Sequence, residues 1–296
     1  MAGFPDPAQW ISGNPIPIAR WFDNGFDWLT GNASWVIDGA ASAVARAVDQ
    51  VQRLFEAPHP FVIIAIAVGL TCLFRRSWGA MLTVGLGYLF ILNLGYWQQT
   101  MQSLTLVALA CLVCMGIGIP LGILAAHVPR LYAIMRPILD LMQTLPSFVY
   151  LVPGVMLFGL GTVAGLFATV IFVLPAPIRL TWLGISQTPP ALIEAGRAFG
   201  ASPFQLLWKV ELPSARPQIL AGLNQTIMLS LSMVVIAAMV GAAGLGIPIM
   251  RALSSMQVGK GFEAGFAIVA LALCLDRMLP EGQRKDKEKP RLDFWK

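Results

Sequence analysis

The sequence predicts an all-α protein, a polytopic bundle of membrane-spanning helices. Hydrophobic residues make up 57% of the 296 residues and charged residues only 12%, and the mean hydropathy is +0.71. Soluble domains carry about 25% charged residues. Apolar stretches recur along the chain, several of them near the roughly 20 residues that a helix needs to cross a hydrocarbon core. The composition therefore excludes an ordinary soluble domain.

Seven apolar segments are candidates for membrane spans. They lie at 59–74, 78–96, 101–126, 144–160, 162–184, 217–241 and 262–279. Pro146 and Pro153 interrupt the fourth span, and Pro175 and Pro177 interrupt the fifth, because proline lacks the backbone N–H that a helix interior needs. We expect about seven helices, with breaks in these two.

The N-terminal segment, residues 1–58, differs from the rest of the chain. It contains Trp10, Trp21, Trp28 and Trp35, followed by apolar residues at helical spacing with charged residues between them. This pattern predicts an amphipathic helix in the membrane interface, with indole rings at headgroup depth. An anchor that braces the bundle and a docking surface for an external partner both fit the pattern.

The basic residues predict the orientation of the chain, because Lys and Arg concentrate in cytoplasmic loops. An external N-terminus and a cytoplasmic C-terminus leave only five of the 20 Lys and Arg outside: Arg20, Arg46, Arg53, Arg251 and Lys260. The charged residues 281–296 then form a cytoplasmic tail. The net charge of +5 follows from this distribution and gives no indication of a nucleic-acid partner.

A charged segment punctuated by Gly and Pro separates the fifth and sixth predicted spans. Thr188 and Pro189 predict the N-cap and first residue of a short helix. Gly200 predicts its left-handed end, and Ser202 with Gln205 predicts a capping box for a second helix. We expect that helix to stop before Pro213, and the next long helix to begin at Pro217. We call residues 189–213 the elbow.

The spacing of residues in the elbow resembles the EAA motif of ABC importer permeases: Glu-Ala-Ala, three residues, Gly, nine residues, Ile, any residue, Leu-Pro. The matching positions are Glu194, Ala195, Gly196, Gly200, Val210, Leu212 and Pro213. Gly196 stands where alanine is usual and Val210 where isoleucine is usual. The resemblance implies a type I importer permease fold, in which this segment is a coupling helix that docks on a separate cytoplasmic ATPase. The residues expected to couple are the same seven with Arg197 and Phe199, and Glu194 is the expected polar contact.

Four further segments are similar to the permease subunits of quaternary-ammonium importers, the choline and glycine betaine group. They are NLGYWQQTMQSL at 93–104, LDLMQTLPSFVYLVP at 139–153, APIRLTWLGI at 176–185 and MLSLSMVVIAAMVGAAGLG at 228–246. The resemblance covers roughly residues 75–279, and it implies two accessory helices in 59–96 and a permease core in 97–280. It further implies uptake of osmoprotectants through the bacterial inner membrane by alternating access.

The resemblance also implies three kinds of protein partner. They are a second copy of this chain, cytoplasmic ATPase subunits that bind ATP and Mg, and an external substrate-binding protein. The chain has no G-x-x-x-x-G-K-[ST] phosphate loop, so we expect a transport subunit without enzymatic activity or a cofactor of its own. Cys111 and Cys114 form a C-x-x-C inside a predicted span without a second ligand pair, so we expect packing residues and no metal site.

Candidates for the transport pathway come from the break at Pro146. A quaternary ammonium group cannot donate hydrogen bonds, and aromatic ring faces attract it. Phe148 and Tyr150 follow the break, where irregular backbone is tolerated beside a cavity or inside protein; packing between helices or facing lipid fits them as well. In the Gly-rich loop 244–261, Arg251 and Lys260 are candidates to meet acidic patches on the binding protein, and ordinary surface exposure fits them equally.

Two other functions compete with this interpretation. An ABC permease for another small substrate, such as an amino acid, would have the same elbow, because the elbow reports only the ATPase partner. A secondary transporter would carry charged or polar relays inside its spans and usually an internal repeat. We find neither in the sequence.

Overall fold

The computed structural model describes residues 17–280, and every regular element within them is helical. The α-helices are α1 (Ile18–Glu56), α2 (Pro60–Arg75), α3 (Trp78–Asn93), α4 (Trp97–His127), α5 (Pro129–Thr144), α6 (Leu151–Phe158), α7 (Thr162–Val173), α8 (Pro175–Ser186), α9 (Pro190–Ala198), α10 (Pro203–Leu206), α11 (Leu212–Ala238), α12 (Gly246–Ser254) and α13 (Val258–Met278). A 3₁₀ turn, Ser147–Tyr150, precedes α6, and a π-turn, Leu207–Glu211, joins α10 to α11. The all-α prediction is confirmed.

Four stretches of helix are long and apolar enough to cross a membrane: Trp97–His127, Thr162–Ser186, Pro203–Ala238 and Val258–Met278. The count within the described residues rises to six if each of two bent pairs of helices is one span, the pair that ends in α2 and the pair formed by α5 and α6. Helix α3 is apolar but has only 16 residues. The seven predicted segments fall in these four stretches, in α2, in α3 and in the pair formed by α5 and α6.

The bent pair around Pro146 turns the chain by 101° between α5 and the segment 147–158. Leu145 is extended, with φ −63° and ψ 136°, because the ring of the following proline excludes the helical conformation. Beyond the turn, the Tyr150 hydroxyl donates a hydrogen bond of 2.9 Å to the carbonyl of Met142. The predicted break at Pro146 is confirmed, and it is larger than a kink. Pro153 instead lies inside α6, and Thr162–Ser186 is one apolar stretch through Pro175 and Pro177.

Helix α5 is fastened to α8 at two places. The rings of Tyr132 and Trp182 stack with centroids 3.7 Å apart and planes 6° apart. Arg179 Nη2 donates to Asp140 Oδ1 at 2.6 Å. Together the two contacts hold an amphipathic helix against the end of a membrane span.

Small residues bring the long helices of the bundle together. Gly118 of α4 lies against Pro177, Gly122 lies against Thr181, and Gly184 of α8 lies against Ala215 of α11. Small residues at such crossings let backbones approach closely, which is how helices associate inside a membrane. Helices α4, α8 and α11 therefore form the packed centre of the described bundle.

The predicted accessory helices add a second layer of packing. The core there includes Val84, Tyr88, Ile91, Leu271 and Cys274. Gly87 of α3 lies against Cys274 of α13, and Cys111, Cys114 and Cys274 are buried, free thiols. The burial of Cys111 and Cys114 agrees with their predicted role as packing residues.

The chain divides at Ala43 into two compact units, and the bundle belongs to the second. In the first, α1 exposes Trp21, Trp28 and Trp35, and backbone angles at Ala33 leave the helical region. Seven residues are about two helical turns, so Trp21 and Trp28 share one face of the helix before the irregular residue Ala33. The predicted N-terminal helix is present, while its place in a membrane interface stays a prediction. Trp10 and the predicted charged tail at 281–296 lie outside the described residues.

Candidate functional site

The first helix of the elbow begins one residue later than predicted. Helix α9 starts at Pro190, and its N-cap is Pro189, with φ −56° and ψ 127°. Pro189 precedes another proline, which excludes it from the helical conformation. The prediction that Thr188 is the cap is wrong: Thr188 is buried, and its hydroxyl has no hydrogen-bond partner among the described residues.

The end of α9 forms the left-handed cap that Gly200 predicts. Gly200 has φ +77°, its N–H donates to the carbonyl of Arg197 at 2.9 Å, and the N–H of Ala201 donates to that of Gly196 at 3.0 Å. This pair of bonds is the Schellman motif. Residues without a Cβ adopt that backbone conformation without strain, so the turn between the two helices is closed and rigid.

The second helix of the elbow begins with the predicted capping box. The backbone N–H of Gln205 donates to Ser202 Oγ at 3.3 Å, and the N–H of Ser202 donates to Gln205 Oε1 at 3.0 Å. Pro203 occupies the first helical position, where no N–H is needed. The prediction is confirmed in both of its hydrogen bonds.

The elbow does not end before Pro213, which corrects the prediction. From Pro203 to Ala238 the chain is one continuous helical stretch, and neither Pro213 nor Pro217 interrupts it. Leu212 N–H donates to the carbonyl of Leu207, five residues back, in the π-turn Leu207–Glu211. A π-turn is wider than an α-turn, and here it lies where the ring of Pro213 would meet the carbonyl of residue 209 in a regular helix.

Gly196 and Val210, the two positions that depart from the EAA pattern, pack on the same side of the elbow. A Cβ built at Gly196 would lie 2.8 Å from Leu206 Cδ1 and 3.7 Å from Val210 Cγ2. Leu206 is buried in this contact. The departures are therefore neighbours in space, and they close the angle between α9 and the following helix.

The remaining predicted coupling residues divide into an exposed and a half-buried set. Glu194, Ala195, Arg197 and Phe199 are exposed on α9 and its end, as is Pro213; Val210 and Leu212 are half-buried. Phe199 is 92% exposed. A segment with an exposed aromatic ring and exposed charged side chains is suited to contact another protein.

A close contact between two polar side chains connects the elbow to α4, and the sequence reasoning missed it. His127 Nε2 lies 2.9 Å from Glu211 Oε2, and the two side chains are 46% and 8% exposed. A carboxylate directly before Leu-Pro and a histidine at the end of an apolar span are each ordinary features. Only the fold brings them together.

The two pathway candidates differ in the structure. Phe148 is exposed, whereas Tyr150 is buried and its hydroxyl is bonded to the Met142 carbonyl. The fixed ring of Tyr150 stabilises the bend at Pro146. The proposed role of both rings in transport stays a prediction.

The break between α6 and α7 meets the break between α11 and α12, and the sequence analysis did not predict this contact. The N–H of Gly161 donates to the Val240 carbonyl at 2.8 Å, and the N–H of Leu245 donates to Ser103 Oγ at 2.8 Å. Irregular backbone at membrane depth needs such partners. The sequence signal was the paired glycines, Gly159 with Gly161 and Gly241 with Gly244, all of which have positive φ.

Arg251 and Lys260 are exposed, but the segment that carries them is not the predicted loop. Arg251 lies in α12 and Lys260 near the start of α13, and only residues 255–257 separate these helices. Glycine did not prevent helix formation, because Gly246 begins α12 and Gly259 and Gly261 fall in the first turn of α13. Within the described residues no three His, Cys, Asp or Glu side chains are grouped to hold a metal ion.

The profile of a transporter family described as "binding-protein-dependent transport system inner membrane component" matches residues 118–279. This chain belongs to that family. The membership confirms the prediction of a transport subunit of the inner membrane rather than an enzyme, and it excludes the secondary transporter.

Two of the relatives that match most of the chain are permeases named for glycine betaine. The chain is 42% identical to the glycine betaine/carnitine transport permease GbuB of Listeria monocytogenes, over 92% of this chain and 97% of the relative. It is 47% identical to the glycine betaine/proline betaine permease ProW of Escherichia coli, over 89% of this chain and 74% of the relative. A solved structure of the MetNI methionine ABC transporter matches at a TM-score of 0.55 and 23% identity, covering 60% of this chain and 89% of that one. This last likeness supports the permease fold alone.

Proposed function

We propose that this chain is the permease subunit of an ATP-driven importer that carries glycine betaine and related quaternary ammonium compounds into the cell. The choice of substrate rests on the sequence identity of more than 40% to GbuB and ProW, over about nine-tenths of this chain. Both relatives are named for glycine betaine. Choline shares the trimethylammonium group and is the second candidate substrate.

The distribution of charge supports a conduit without a strong cation site. Helix α4 has no charged side chain before His127, and α7 has none. A carboxylate within a span would hold a quaternary ammonium tightly, and transport requires release. Ring faces contribute only about 0.5–2 kcal/mol each, which is suited to transient contacts such as one with Phe148.

The elbow is the proposed contact with the ATPase that supplies the energy. Glu194 and Arg197 of α9 and Phe199 at its end are exposed, and the caps at Gly200 and Ser202 make the segment stiff. ATP and Mg bind to that separate subunit. Because the helix continues from Pro203 to Ala238, a displacement of the elbow reaches the membrane span without passing through a flexible joint.

The remaining partners follow from alternating access in a binding-protein-dependent system. Two copies of this chain enclose the passage, and an external binding protein delivers the substrate. Arg251 and Lys260 are exposed at the predicted outer side, where they would meet acidic side chains of that protein. The N-terminus lies outside and the C-terminus in the cytoplasm.

Uptake by vesicles that carry the complete complex tests this function. Labelled glycine betaine and labelled choline are compared, with and without internal ATP, in the wild type and in Glu194→Lys. Asp38→Lys is the matched control, since it reverses the charge of an exposed acid outside the elbow. ATP-dependent uptake of glycine betaine that only Glu194→Lys abolishes supports the proposal.

Three results would contradict parts of the proposal. Uptake that does not require ATP would contradict an ATP-driven importer. Normal uptake by Glu194→Lys would contradict the docking role of the elbow. Uptake of choline without uptake of glycine betaine would identify choline as the substrate.

A further inference from the structure

The ion pair between Asp140 and Arg179 lies at the depth of a membrane span. Arg179 belongs to the apolar stretch Thr162–Ser186, which has 25 residues and is therefore about 37 Å long. It lies seven residues before Ser186, or about 10 Å from that end of the stretch. A hydrocarbon core is about 30 Å thick, so Arg179 lies inside the core when the stretch is centred in the membrane.

This ion pair is open on one side. The side chain of Asp140 is 51% exposed and that of Arg179 is 32% exposed. Charged side chains within membrane spans face protein or a water-filled cavity, because contact with hydrocarbon is costly. The break at Pro146, six residues after Asp140, has the same requirement, since irregular backbone at membrane depth also avoids lipid. The side of α5 that carries Asp140 therefore borders a cavity or another protein surface.

The two charged groups leave hydrogen-bonding capacity unused. Arg179 Nη2 donates to Asp140 Oδ1 at 2.6 Å, and this is the bond between the two side chains. A guanidinium can bind a carboxylate through two parallel bonds, which this pair does not form. Arg179 Nε is buried and has no hydrogen-bond partner among the described residues. Oxygen Oδ2 of Asp140 and the other guanidinium nitrogens therefore remain for a ligand.

The charges of the pair match those of a small zwitterion. Glycine betaine has a carboxylate, which can accept hydrogen bonds from Arg179, and a trimethylammonium group, which is attracted by the carboxylate of Asp140. Trp182 lies three residues after Arg179 on the same side of α8, and its ring adds apolar surface for the methyl groups. The pair and the ligand are both neutral overall, so binding brings no net charge into the span. Choline has a hydroxyl instead of the carboxylate and would leave Arg179 without an anion.

We propose that Asp140 and Arg179 form a binding site for zwitterions on the transport path, which holds glycine betaine in transit and selects it over choline. The inference rests on the proposed function, from which it takes the passage and the ligand. The substrate meets a neutral pair rather than a lone carboxylate, so the contact is weak enough for release. In the competing interpretation the pair only fastens α5 to α8. The stacked rings of Tyr132 and Trp182 fasten the same two helices and remain when the pair is removed.

Three variants separate the two interpretations. Arg179→Gln removes the group that binds the ligand carboxylate and leaves the Asp140 carboxylate unpaired. The double variant Asp140→Asn, Arg179→Gln removes both charges, so no unpaired charge remains between α5 and α8. Arg136→Gln is the matched control, because it removes an exposed positive charge one turn before Asp140 on the same helix.

The first readout is binding by the purified chain in lipid discs of phosphatidylglycerol and phosphatidylethanolamine, which contain no choline headgroup. Saturation transfer in NMR from the protein to the methyl protons of glycine betaine or choline reports contact with each compound. We expect transfer to glycine betaine in the wild type and in Arg136→Gln. Arg179→Gln should lose it and gain transfer to choline, and the double variant should bind neither. A wild type without transfer to glycine betaine, or a double variant that keeps it, would overturn the inference.

The second readout is ATP-dependent uptake of glycine betaine by vesicles that carry the complete complex. Arg179→Gln and the double variant should both be slower by about tenfold, which corresponds to the loss of about 1.4 kcal/mol and is typical of a hydrogen bond to a charged group. Arg136→Gln should follow the wild type. Normal uptake by the double variant would show that the pair only fastens the helices. If the wild type showed no ATP-dependent uptake, the proposed function would fail, while the binding experiment would still decide whether the site exists.

Discussion

Gly196 of α9 lies directly against Leu206 of α10, close enough that a Cβ at Gly196 would come within 2.8 Å of Leu206 Cδ1. The atom it would meet is the free end of a flexible side chain, and only a small shift is needed. A larger side chain has no such room, because Val210 closes the other side of the contact. The size of residue 196 therefore sets how closely the two helices of the elbow approach.

From this contact we expect Gly196→Ala to be tolerated and Gly196→Leu to be damaging. Alanine gains about 0.5–1 kcal/mol of helical stability over glycine, which offsets the small displacement of Leu206. Leucine would push α9 away from the π-turn and move Glu194 with it. Melting temperature and ATP-dependent uptake of both variants test this. Full uptake by Gly196→Leu would show that the contact does not position α9.

The left-handed Gly200 predicts a graded series of substitutions. Gly200→Val should destabilise the protein by about 1–2 kcal/mol, since a Cβ is unfavourable at φ +77°. Gly200→Asn should cost less, because asparagine tolerates this conformation better than a β-branched residue. The melting temperatures of the two variants give the order. A Val variant as stable as the Asn variant would contradict it.

The capping box predicts that substitutions at Ser202 and Gln205 have non-additive effects on the stability of the protein. Ser202→Ala should cost about 1 kcal/mol because it removes the acceptor for the Gln205 N–H. Gln205→Ala should cost less, because the Ser202 N–H that it leaves is exposed. The double variant should be less destabilised than the sum, since the two bonds form one motif. Additive losses in melting experiments would mean that the two bonds act independently.

Tyr150 and Phe148 give opposite expectations. Tyr150→Phe removes the hydrogen bond to the Met142 carbonyl, so we expect a loss of stability of about 1 kcal/mol and an unchanged preference between glycine betaine and choline. Phe148→Ala removes an exposed ring, so we expect unchanged stability and slower uptake. Unchanged uptake by Phe148→Ala would exclude that ring from the pathway.

The sequence predicted those parts of the elbow that depend on neighbouring residues. The left-handed glycine and the capping box are local motifs, and both form as expected. The predicted start of α9 is one residue too early, because Pro189 and Pro190 are both suited to the first helical position. Pro190 occupies that position, since the residue before a proline is excluded from the helical conformation. The prediction that the helix stops before Pro213 was wrong. Proline usually ends a helix, but here the π-turn Leu207–Glu211 lets the helix continue through Pro213.

Long-range contacts were beyond local reasoning. Nothing in the neighbourhood of His127 or Glu211 indicates that the two side chains meet, since the crossing of α4 and the elbow brings them together. The same holds for the stacking of Tyr132 on Trp182 and for the hydrogen bond that the Leu245 N–H donates to Ser103 Oγ. Hydropathy located the spans, but it could not show that α5 and α6 meet at 101°.

The π-turn at Leu207–Glu211 limits how much chain the elbow can lose. It holds one residue more than an α-turn, so deleting one residue there would leave a turn of ordinary width. The ring of Pro213 would then meet the carbonyl four residues before it, and the start of α11 would kink or unwind. The extra residue is thus what lets a helix that contains Pro213 continue into the membrane span.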